Sequence, residues 1–300
     1  MSGKKRALRV SDLFCGVGGL SLGFESAGFN LVSAYDSWGA AVANYGQNFS
    51  HPVKQCDISC RPDILERLRL DKPDVIIGGP PCQDFSHAGK RMERNRASLT
   101  TVFAEIVEAT RPEFFVMENV PRVAASRTWG RARPILKRAG YGLTEIVIDA
   151  SRCKVPQIRK RFLCIGALER EDDHFLDALV STQSRKSMTV AQHMEKDLDT
   201  EFYYRHPRNY TRRAVYTIHE PSATIRGVNR PIPRNYPGHP LDAAPVRDSR
   251  PLTTMERARI QTFPKRWRWL GTKTNVEQMI GNAVPPNLGK FVARALLAVA

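Results

Sequence analysis

The sequence predicts an α/β fold, with a parallel sheet covered by helices, and three observations lead to this prediction. Short apolar runs with β-branched residues alternate with helical patterns between residues 7 and 166, as expected for strands that are buried on both faces. Several runs stop at glycine, proline or an acidic residue, which is typical of the sheet edge where ligands bind. The chain has 300 residues, 42% of them hydrophobic, so it can bury one large core and a smaller second one.

The charge and the cysteines narrow the class of protein. Lys and Arg number 46 against 30 Asp and Glu, a formal net charge of +16, which favours a polyanionic partner such as nucleic acid. A basic protein without such a partner is the alternative. The six cysteines form no CxxC pair, so neither a zinc site nor a disulfide framework is expected, and a reducing intracellular setting is favoured. No apolar run approaches the roughly 20 residues that span a bilayer.

The first strand covers residues 7–14 and leads into a glycine-rich turn, Cys15 to Gly19, and an amphipathic helix. Glycines allow a ligand close to the backbone, and the first N–H groups of a helix are free to bind it. The turn has neither the GxGxxG spacing nor a following Walker lysine. A dinucleotide and a nucleoside triphosphate are therefore disfavoured, and another adenosine ligand is left.

A second strand, residues 30–35, ends at Asp36. An acid at this place can bind ribose hydroxyls. The alternative is that Asp36 caps the helix predicted over residues 37–46.

Cys82 follows the apolar run Asp74 to Ile77 and the turn Gly78 to Pro81. The run predicts a buried strand, so the cysteine is expected at the ligand-binding edge of the sheet. Two prolines fix the backbone before it and make the loop stiff. These features predict a nucleophile. The alternative is a buried structural cysteine, because free cysteine commonly packs as a small hydrophobic residue.

Residues 84–98 are polar and basic, which predicts either a mobile loop that meets phosphates or a solvated loop. A helix is predicted over 98–110 and a buried strand over 112–117, directly before Glu118. Desolvation favours the protonated carboxyl, which suits a proton donor near neutral pH. The alternative is a surface acid in a turn.

A basic helix is predicted over residues 123–139, followed by strands over 141–148 and 161–166. Arg159 and Arg161 are two positions apart, so at strand spacing they share a face. This spacing predicts a basic ridge beside the active edge of the sheet.

The alternation of strands and helices stops between residues 167 and 249. The stretch 203–213 interleaves tyrosines with basic residues, and 225–231 is a second basic loop. This composition fits stacking on bases and binding of phosphates. We interpret residues 167–249 as a small substrate-binding domain, with an irregular insertion as the alternative. A helical pattern returns over 250–263 and again over 287–300.

Six stretches together resemble the motifs of the DNA (cytosine-5)-methyltransferase family, bacterial restriction–modification type, and occur in the order usual for it. They are Asp12–Gly19, Gly78–Ser86, Glu118–Val120, Gln157–Arg161, Arg250–Pro264 and Gly281–Pro286. The resemblance implies a Rossmann-like, mixed seven-stranded sheet with helices on both faces, as in class I S-adenosylmethionine-dependent methyltransferases. It assigns residues 1–166 and 250–300 to a catalytic, cofactor-binding domain and 167–249 to a smaller, loop-rich target-recognition domain.

The resemblance also implies the chemistry. In the family a cysteine thiolate attacks C6 of a cytosine flipped out of duplex DNA, and a methyl group moves from S-adenosylmethionine to C5. The products are 5-methylcytosine and S-adenosylhomocysteine. Cys82 matches the nucleophile and Glu118 the acid that binds and protonates N3. Arg159 and Arg161 match the arginines that hold the flipped base and the catalytic loop.

The cofactor-binding positions of the family also carry over to this chain. They are Phe14, Gly16, Gly19, Asp36, Asp57, Ile58, Pro81, Leu99, Asn282 and Val284. The chain departs from many relatives directly after the ribose-binding acid, where an apolar or aromatic residue covers the adenine. Here Ser37 follows and Trp38 comes next, so the residue that covers the adenine is left open.

The basic loop and the small domain are then expected to contact DNA, the domain by reading bases in the major groove. The candidate DNA-binding residues are Ser86, Arg91, Arg94, Arg205, Arg208, Arg212, Arg213, Arg226 and Arg230. The expected partners are double-stranded DNA and a cognate restriction endonuclease that acts on the same site. A cytoplasmic, nucleoid-associated bacterial monomer without a metal or a membrane contact is expected. The alternatives are an RNA (tRNA) cytosine-5 methyltransferase and a non-catalytic DNA-binding relative.

Overall fold

The computed structural model describes residues 6–81, 99–194, 197–207, 209 and 211–299. The strands in these ranges are β1 (Arg9–Leu13), β2 (Asn30–Asp36), β3 (Val53–Gln55), β4 (Val75–Gly78), β5 (Phe114–Asn119), β6 (Tyr141–Asp149), β7 (Gln157–Ile158), β8 (Lys160–Leu168), β9 (Phe202–Tyr204), β10 (Val215–Thr217), β11 (Ser222–Ala223) and β12 (Arg250–Pro251). The helices are α1 (Gly19–Glu25), α2 (Gly39–Gly46), α3 (Arg61–Asp71), α4 (Leu99–Thr110), α5 (Arg127–Arg138), α6 (Leu176–Ser181), α7 (Val190–Met194), α8 (Thr254–Ile260), α9 (Lys273–Asn282) and α10 (Pro286–Val299).

The main sheet has seven strands in the spatial order β3, β2, β1, β4, β5, β8, β6. The first five pair in parallel, whereas β8 pairs antiparallel with both β5 and β6. The sheet is therefore mixed and seven-stranded, as expected. Because β1, β2, β4 and β5 run in one direction, the residues that follow them meet at one edge of the sheet.

Alternation along the strands produces a core on each face of the sheet. Val75 and Ile77 pack in a cluster with α1, α6 and α10. Ile76, between them, points to the opposite face and packs in a cluster with α3, α4 and α5. This period of two explains why the strand reads as one continuous apolar run: helices cover both of its faces.

A third cluster joins the two ends of the chain. Tyr45 of α2 packs there with Phe263, which follows α8, and with Met279 and Ile280 of α9. The C-terminal helices thus return to the turn after β1, which places residues 281–284 beside the first strand of the sheet.

Three element boundaries differ from the predictions. The basic helix predicted over 123–139 is a 3-10 turn, Pro121–Ala125, followed by α5. The break comes at Ser126, which has an extended backbone and is the N-cap of α5. Its side-chain oxygen accepts the Trp129 N–H. The helix predicted from 250 starts only at Thr254, because Thr253 and Glu256 form a capping box. The sequence patterns do not predict helix α9. Only its last two residues belong to one of the motifs described above.

Residues 167–249 contain short elements rather than long ones. A three-stranded sheet has the order β10, β9, β12, and β11 pairs in parallel with β7. Part of this stretch packs on the main body, because Phe175 and Leu179 are fully buried in the cluster of α1 and α10. Within the described ranges, none of the helices combines the length and apolar character needed to cross a membrane.

Candidate active site

A cavity of about 520 Å³ opens at the edge of the sheet where β1, β2, β4 and β5 end. Every cofactor-binding residue predicted from the sequence lines it, together with three predicted catalytic residues. These are Phe14, Gly16, Gly19, Asp36, Asp57, Ile58, Pro81, Leu99, Asn282, Val284, Glu118, Arg159 and Arg161. Ser37 and Trp38 both line the cavity, of which Ser37 is exposed and Trp38 half-buried. Cys82, the predicted nucleophile, lies outside the described residues.

The floor of the cavity is a turn that only small residues can form. Gly16 and Gly18 adopt the left-handed region, with φ of +53° and +86°, where side chains are disfavoured. Gly19 faces the backbone of Val284 so closely that an added Cβ would collide with that carbonyl oxygen. The turn after β1 and the loop after α9 are therefore in direct backbone contact beneath the cavity.

Asp36 fixes this turn from the end of β2. Its two carboxylate oxygens accept the Gly16 and Trp38 N–H groups, each at 2.8 Å. The expectation that Asp36 caps α2 is wrong, because the N-cap residue is Trp38 and no side chain caps that helix. Burial raises the pKa of Asp36, although these backbone N–H groups act against that effect.

Asp12 of β1 also lines the cavity, and its role was not anticipated from the sequence. It is 1% exposed, and its Oδ2 accepts the Ser21 hydroxyl at 2.6 Å. Tyr45 donates to the same hydroxyl and lies 2.6 Å from His51 Nε2. Burial raises the pKa of Asp12 to about 8. An acid in the middle of an apolar strand, before a glycine turn, is the signal that could have identified it.

Glu118 and Arg161 form an ion pair at the deep end of the cavity, with Oε1 and Nε 2.7 Å apart. Glu118 is 8% exposed and belongs to β5 itself, so the alternative of a surface acid in a turn is wrong. Oε1 is buried and makes no hydrogen bond among the described residues besides this ion-pair contact, and Oε2 lies so near Gly79 that an added Cβ would be 3.4 Å from it. Arg161 thus orients the carboxylate by its charge, and the hydrogen-bonding capacity of the carboxylate is left for a ligand.

Asn119, the next residue, positions the loop that leads to Cys82. Its Nδ2 donates to the Pro80 carbonyl at 2.9 Å, and its Oδ1 accepts the Val120 N–H at 2.8 Å. The ends of β4 and β5 are therefore tied together beside the carboxylate of Glu118. In the sequence, Asn119 stands out only as part of a motif, and no individual role is predicted for it.

Arg159 is buried, with 2% of its surface exposed. Its guanidinium donates to the carbonyls of Ile225 at 3.2 Å, Gly281 at 3.1 Å and Ala283 at 3.0 Å. Burial, and then the nearby charge of Arg161, lower the pKa of Arg159 to about 9. The predicted basic ridge is therefore wrong: the two arginines share a face, but that face turns inward, while Ile158 and Lys160 face solvent.

The predicted DNA-binding residues fall into three groups. Ser86, Arg91, Arg94 and Arg208 lie outside the described residues. Arg205, Arg213 and Arg226 are engaged within the protein, since they donate to the Thr224 carbonyl, Glu220 and the His206 carbonyl respectively. Arg212 and Arg230 are exposed.

Two tyrosines of the stretch 203–213, Tyr203 and Tyr204 of β9, do not form an open stacking surface. Both are buried, one in the cluster with α8 and α9 and the other in a small cluster with Val215. Because neighbouring residues of a strand point to opposite faces, both faces of β9 are covered here. The expectation that these two rings stack on bases is therefore wrong.

The fold and this cavity define a class: an α/β enzyme with a glycine-floored ligand cavity and a buried carboxylate–guanidinium pair at the edge of a mixed sheet. Comparison with known proteins gives the family. The family model described as C-5 cytosine-specific DNA methylase matches residues 8–298. The chain therefore belongs to the C-5 cytosine-specific DNA methylase family and is a DNA (cytosine-5-)-methyltransferase.

Individual relatives agree with this family. The Type II methyltransferase M.HindV of Haemophilus influenzae is 50% identical over 97% of this chain and 96% of its own length. The Type II methyltransferase M.HgiDI of Herpetosiphon aurantiacus is 49% identical over 97% of this chain and 94% of its own. Among solved structures, the Dnmt2 methyltransferase of S. pombe matches with a TM-score of 0.73 and 17% identity over 98% of this chain and 99% of its own. That last likeness concerns the fold alone.

Proposed function

We propose that this enzyme methylates C5 of a cytosine at one short sequence in duplex DNA, using S-adenosylmethionine, and that it is the modifying half of a restriction–modification system. One observation carries the proposal. A single cavity joins the glycine floor and Asp36 to the Glu118–Arg161 pair. The same cavity wall ends at Pro81, to which Cys82 is bonded. Two Type II methyltransferases at about half identity support the restriction–modification setting, and with it a cytoplasmic location.

The cavity fits S-adenosylmethionine in size and in chemistry. Its 520 Å³ lies within the roughly 300–1,000 Å³ of small-molecule sites. Asp36 is placed to accept hydrogen bonds from the ribose, and Ile58 offers an apolar surface to the adenine. Trp38 is assigned to the other face of the adenine rather than Ser37, because its ring is half-buried at the cavity wall. The cofactor, when bound, supplies an electrophilic methyl group.

The nucleophile is assigned to Cys82 rather than to the described cysteine that lines the cavity, Cys15. Burial raises the pKa of Cys15 well above its ordinary value, and the carboxyls of Asp12 and Asp36 add to the effect. Cys15 is therefore kept as a neutral thiol, whereas the thiolate is the reactive form. Cys82 follows Pro80 and Pro81 in the sequence, and both prolines line the cavity.

Glu118 and Arg161 act on the target base. Arg161 orients the carboxyl, and Glu118 gives a proton to N3 while the Cys82 sulfur bonds to C6. Protonation draws electrons from the ring, and the addition makes C5 nucleophilic. C5 would then take the methyl group that the cofactor supplies and lose its own proton to water. The N3 proton returns to Glu118, and the S–C6 bond breaks to release 5-methylcytosine and the Cys82 thiolate. One flipped base occupies one such cavity, so a monomer is sufficient.

The proposal is tested by incubating the pure protein with S-adenosylmethionine and long unmethylated DNA, then mapping 5-methylcytosine at base resolution. Methylation at one recurring short sequence is expected. Cys82→Ser should abolish it, whereas Cys15→Ala, at the other candidate thiol, should retain it. The reverse result would overturn the assignment of the nucleophile, and methylation of tRNA instead of DNA would overturn the substrate.

A separate variant tests the carboxyl. Glu118→Gln should lower the turnover number by at least about 100-fold, because it removes a general acid, while the affinity for duplex DNA stays within about twofold. The matched control is Glu145→Gln, which also loses an ion pair to an arginine, Arg133, but lies away from the cavity. Equal turnover of the two variants would contradict the role of Glu118.

A further inference from the structure

The segment from Pro121 to Ala139 has an excess of basic over acidic residues that is larger than in the other described segments around the site. It carries six cations, Arg122, Arg127, Arg131, Arg133, Lys137 and Arg138, and no acid. The mechanism proposed above uses none of them. The segment starts two residues after Asn119, the last residue of β5, at the same sheet edge as the cavity.

Two of the six cations are neutralised within the protein. Arg133 Nε lies 2.7 Å from Glu145 of β6, and Lys137 Nζ lies 2.7 Å from Asp172. These pairs hold one flank of α5 against the strand and loop beside it. They account for the charge of that flank without any partner outside the chain.

The other four cations, Arg122, Arg127, Arg131 and Arg138, are exposed and have neither an ion pair nor a side-chain hydrogen bond among the described residues. We call them the arginine stripe. At about 100° per residue, Arg127, Arg131 and Arg138 fall within about 40° of one another around α5 and span about 16 Å of its axis. Trp129, Ala132 and Leu136, on the opposite side, are buried against the sheet.

The stripe begins beside the mouth of the cavity. Helix α5 connects β5 to β6, which run in the same direction because both are antiparallel to β8. It therefore starts at the edge where β5 ends and runs back toward the opposite edge. Arg122 and Arg127 lie at the start of this path and Arg131 one turn further on, so a long ligand positioned over the cavity passes next to them.

We propose that the arginine stripe binds phosphates of the DNA that flanks the target site. This rests on the proposed function, because it takes duplex DNA as the substrate. A duplex carries one charge per about 1.7 Å of its axis, and the planar guanidinium suits phosphate oxygens. These contacts carry no sequence information, since phosphates are the same at every base. The stripe lies on α5 and on the turn before it, separate from residues 167–249, and adds affinity on that side of the site.

The test compares two variants of the same segment. Arg122→Gln/Arg127→Gln/Arg131→Gln removes three unpaired charges, and the control Arg133→Gln/Lys137→Gln removes two paired ones. Binding of a duplex of about 30 base pairs is measured against salt concentration. The slope of log affinity against log salt should fall by about 2 to 3 in the stripe variant, roughly 0.9 per lost phosphate contact, and should change by less than 1 in the control.

Two further measurements separate the stripe from the catalytic site. At saturating DNA the stripe variant should keep the turnover number of the wild type and show a raised KM for DNA. Shortening the duplex to the recognition sequence alone should weaken binding of the wild type and leave the variant almost unchanged. Equal salt slopes for the variant and the wild type would overturn the proposal. The arginine stripe would then be a solvent-exposed surface that does not bind DNA, and the proposed methylation would be unaffected. If the wild type failed to methylate DNA, the proposed function would fall, whereas the salt slopes would still decide whether the stripe binds phosphates.

Discussion

At the scale of single residues, the cavity contains acids that the protein holds in an unfavourable environment. Asp12 is fully buried, one of its oxygens has no hydrogen-bond partner within the part of the chain that the structure describes, and the Ser21 hydroxyl satisfies the other. An unpaired buried polar atom costs about 1–3 kcal/mol. Such costs are tolerated where a site needs the group, so Asp12 is better explained by the ligand cavity than by the stability of the fold.

Asp12→Asn should stabilise the free protein, and more so at higher pH. The pKa of Asp12 is raised to about 8 by burial, against about 3.9 in the unfolded chain. Between these values the native state keeps a proton that the unfolded state has lost, so stability falls as pH rises from about 4 to 8. Asparagine does not titrate and can still accept from Ser21.

The check on Asp12 is the difference in Tm between variant and wild type at pH 5 and at pH 8. Each kcal/mol should shift Tm by about 2–4 °C in a chain of this size. A difference that shrinks as pH rises would contradict the raised pKa. Asp63→Asn, a change of the same chemistry on the surface helix α3, is the control.

At the scale of elements, two buried arginines connect parts of the chain that are distant in sequence. Arg159 joins the segment before β8 to Ile225 and to the loop after α9. Arg257 of α8 forms an ion pair with Glu277 of α9, and it also donates to the Arg226 carbonyl. Both side chains of the Arg257–Glu277 pair are about 5% exposed or less, so water cannot replace a lost partner.

Glu277→Gln should therefore destabilise the protein by about 3–5 kcal/mol, because it leaves the Arg257 charge buried without its partner. The double variant Arg257→Met/Glu277→Leu removes both charges and should recover much of this loss, since apolar residues of similar volume can replace a buried pair. Urea unfolding of the two variants and the wild type gives the comparison. A double variant no more stable than the single one would show that hydrogen bonds, rather than the charges, stabilise this junction. These are the bonds that Arg257 donates to the Arg226 carbonyl and that Glu277 accepts from Asn229 Nδ2.

At the scale of the whole molecule, two partly buried histidines contribute stability that is lost in mild acid. Burial lowers the pKa of His51 to about 4 and also lowers that of His193. The unfolded chain takes up protons at these histidines near pH 6.5, whereas the native state does so only at lower pH. Their contribution is complete above about pH 6.5 and is lost as pH falls toward 4.

The expected result is that the free energy of unfolding of His51→Gln, taken relative to the wild type, rises as pH falls from 6.5 to 4.5, because the variant lacks the loss that His51 causes. Glutamine keeps a polar partner for Tyr45 without titrating. Denaturant unfolding at several pH values measures this change. Identical pH profiles for the two proteins would show that His51 does not contribute.

The sequence predicts the main sheet well and the structure of residues 167–249 poorly, for physical reasons. Strands buried on both faces must be continuously apolar, so β4 and β5 are visible as such in the chain. A spacing of two residues puts Arg159 and Arg161 on one face, but does not say whether that face meets solvent or the cavity. The tyrosines of β9 likewise look suited to stacking on bases, but side chains that are distant in sequence pack over both of them.

The contacts of Arg159 and Gln157 also indicate which changes of sequence residues 167–249 can accept. Both side chains reach the segment after β11 through the backbone of Ile225, by its carbonyl and its N–H. These two hydrogen bonds depend on the path of the main chain and not on the side chain at position 225. The side chains of Ile225 and Tyr203, in contrast, are buried in the cluster with α8 and α9. Exposed residues of 167–249 can therefore change while this connection is kept, whereas those two buried positions cannot.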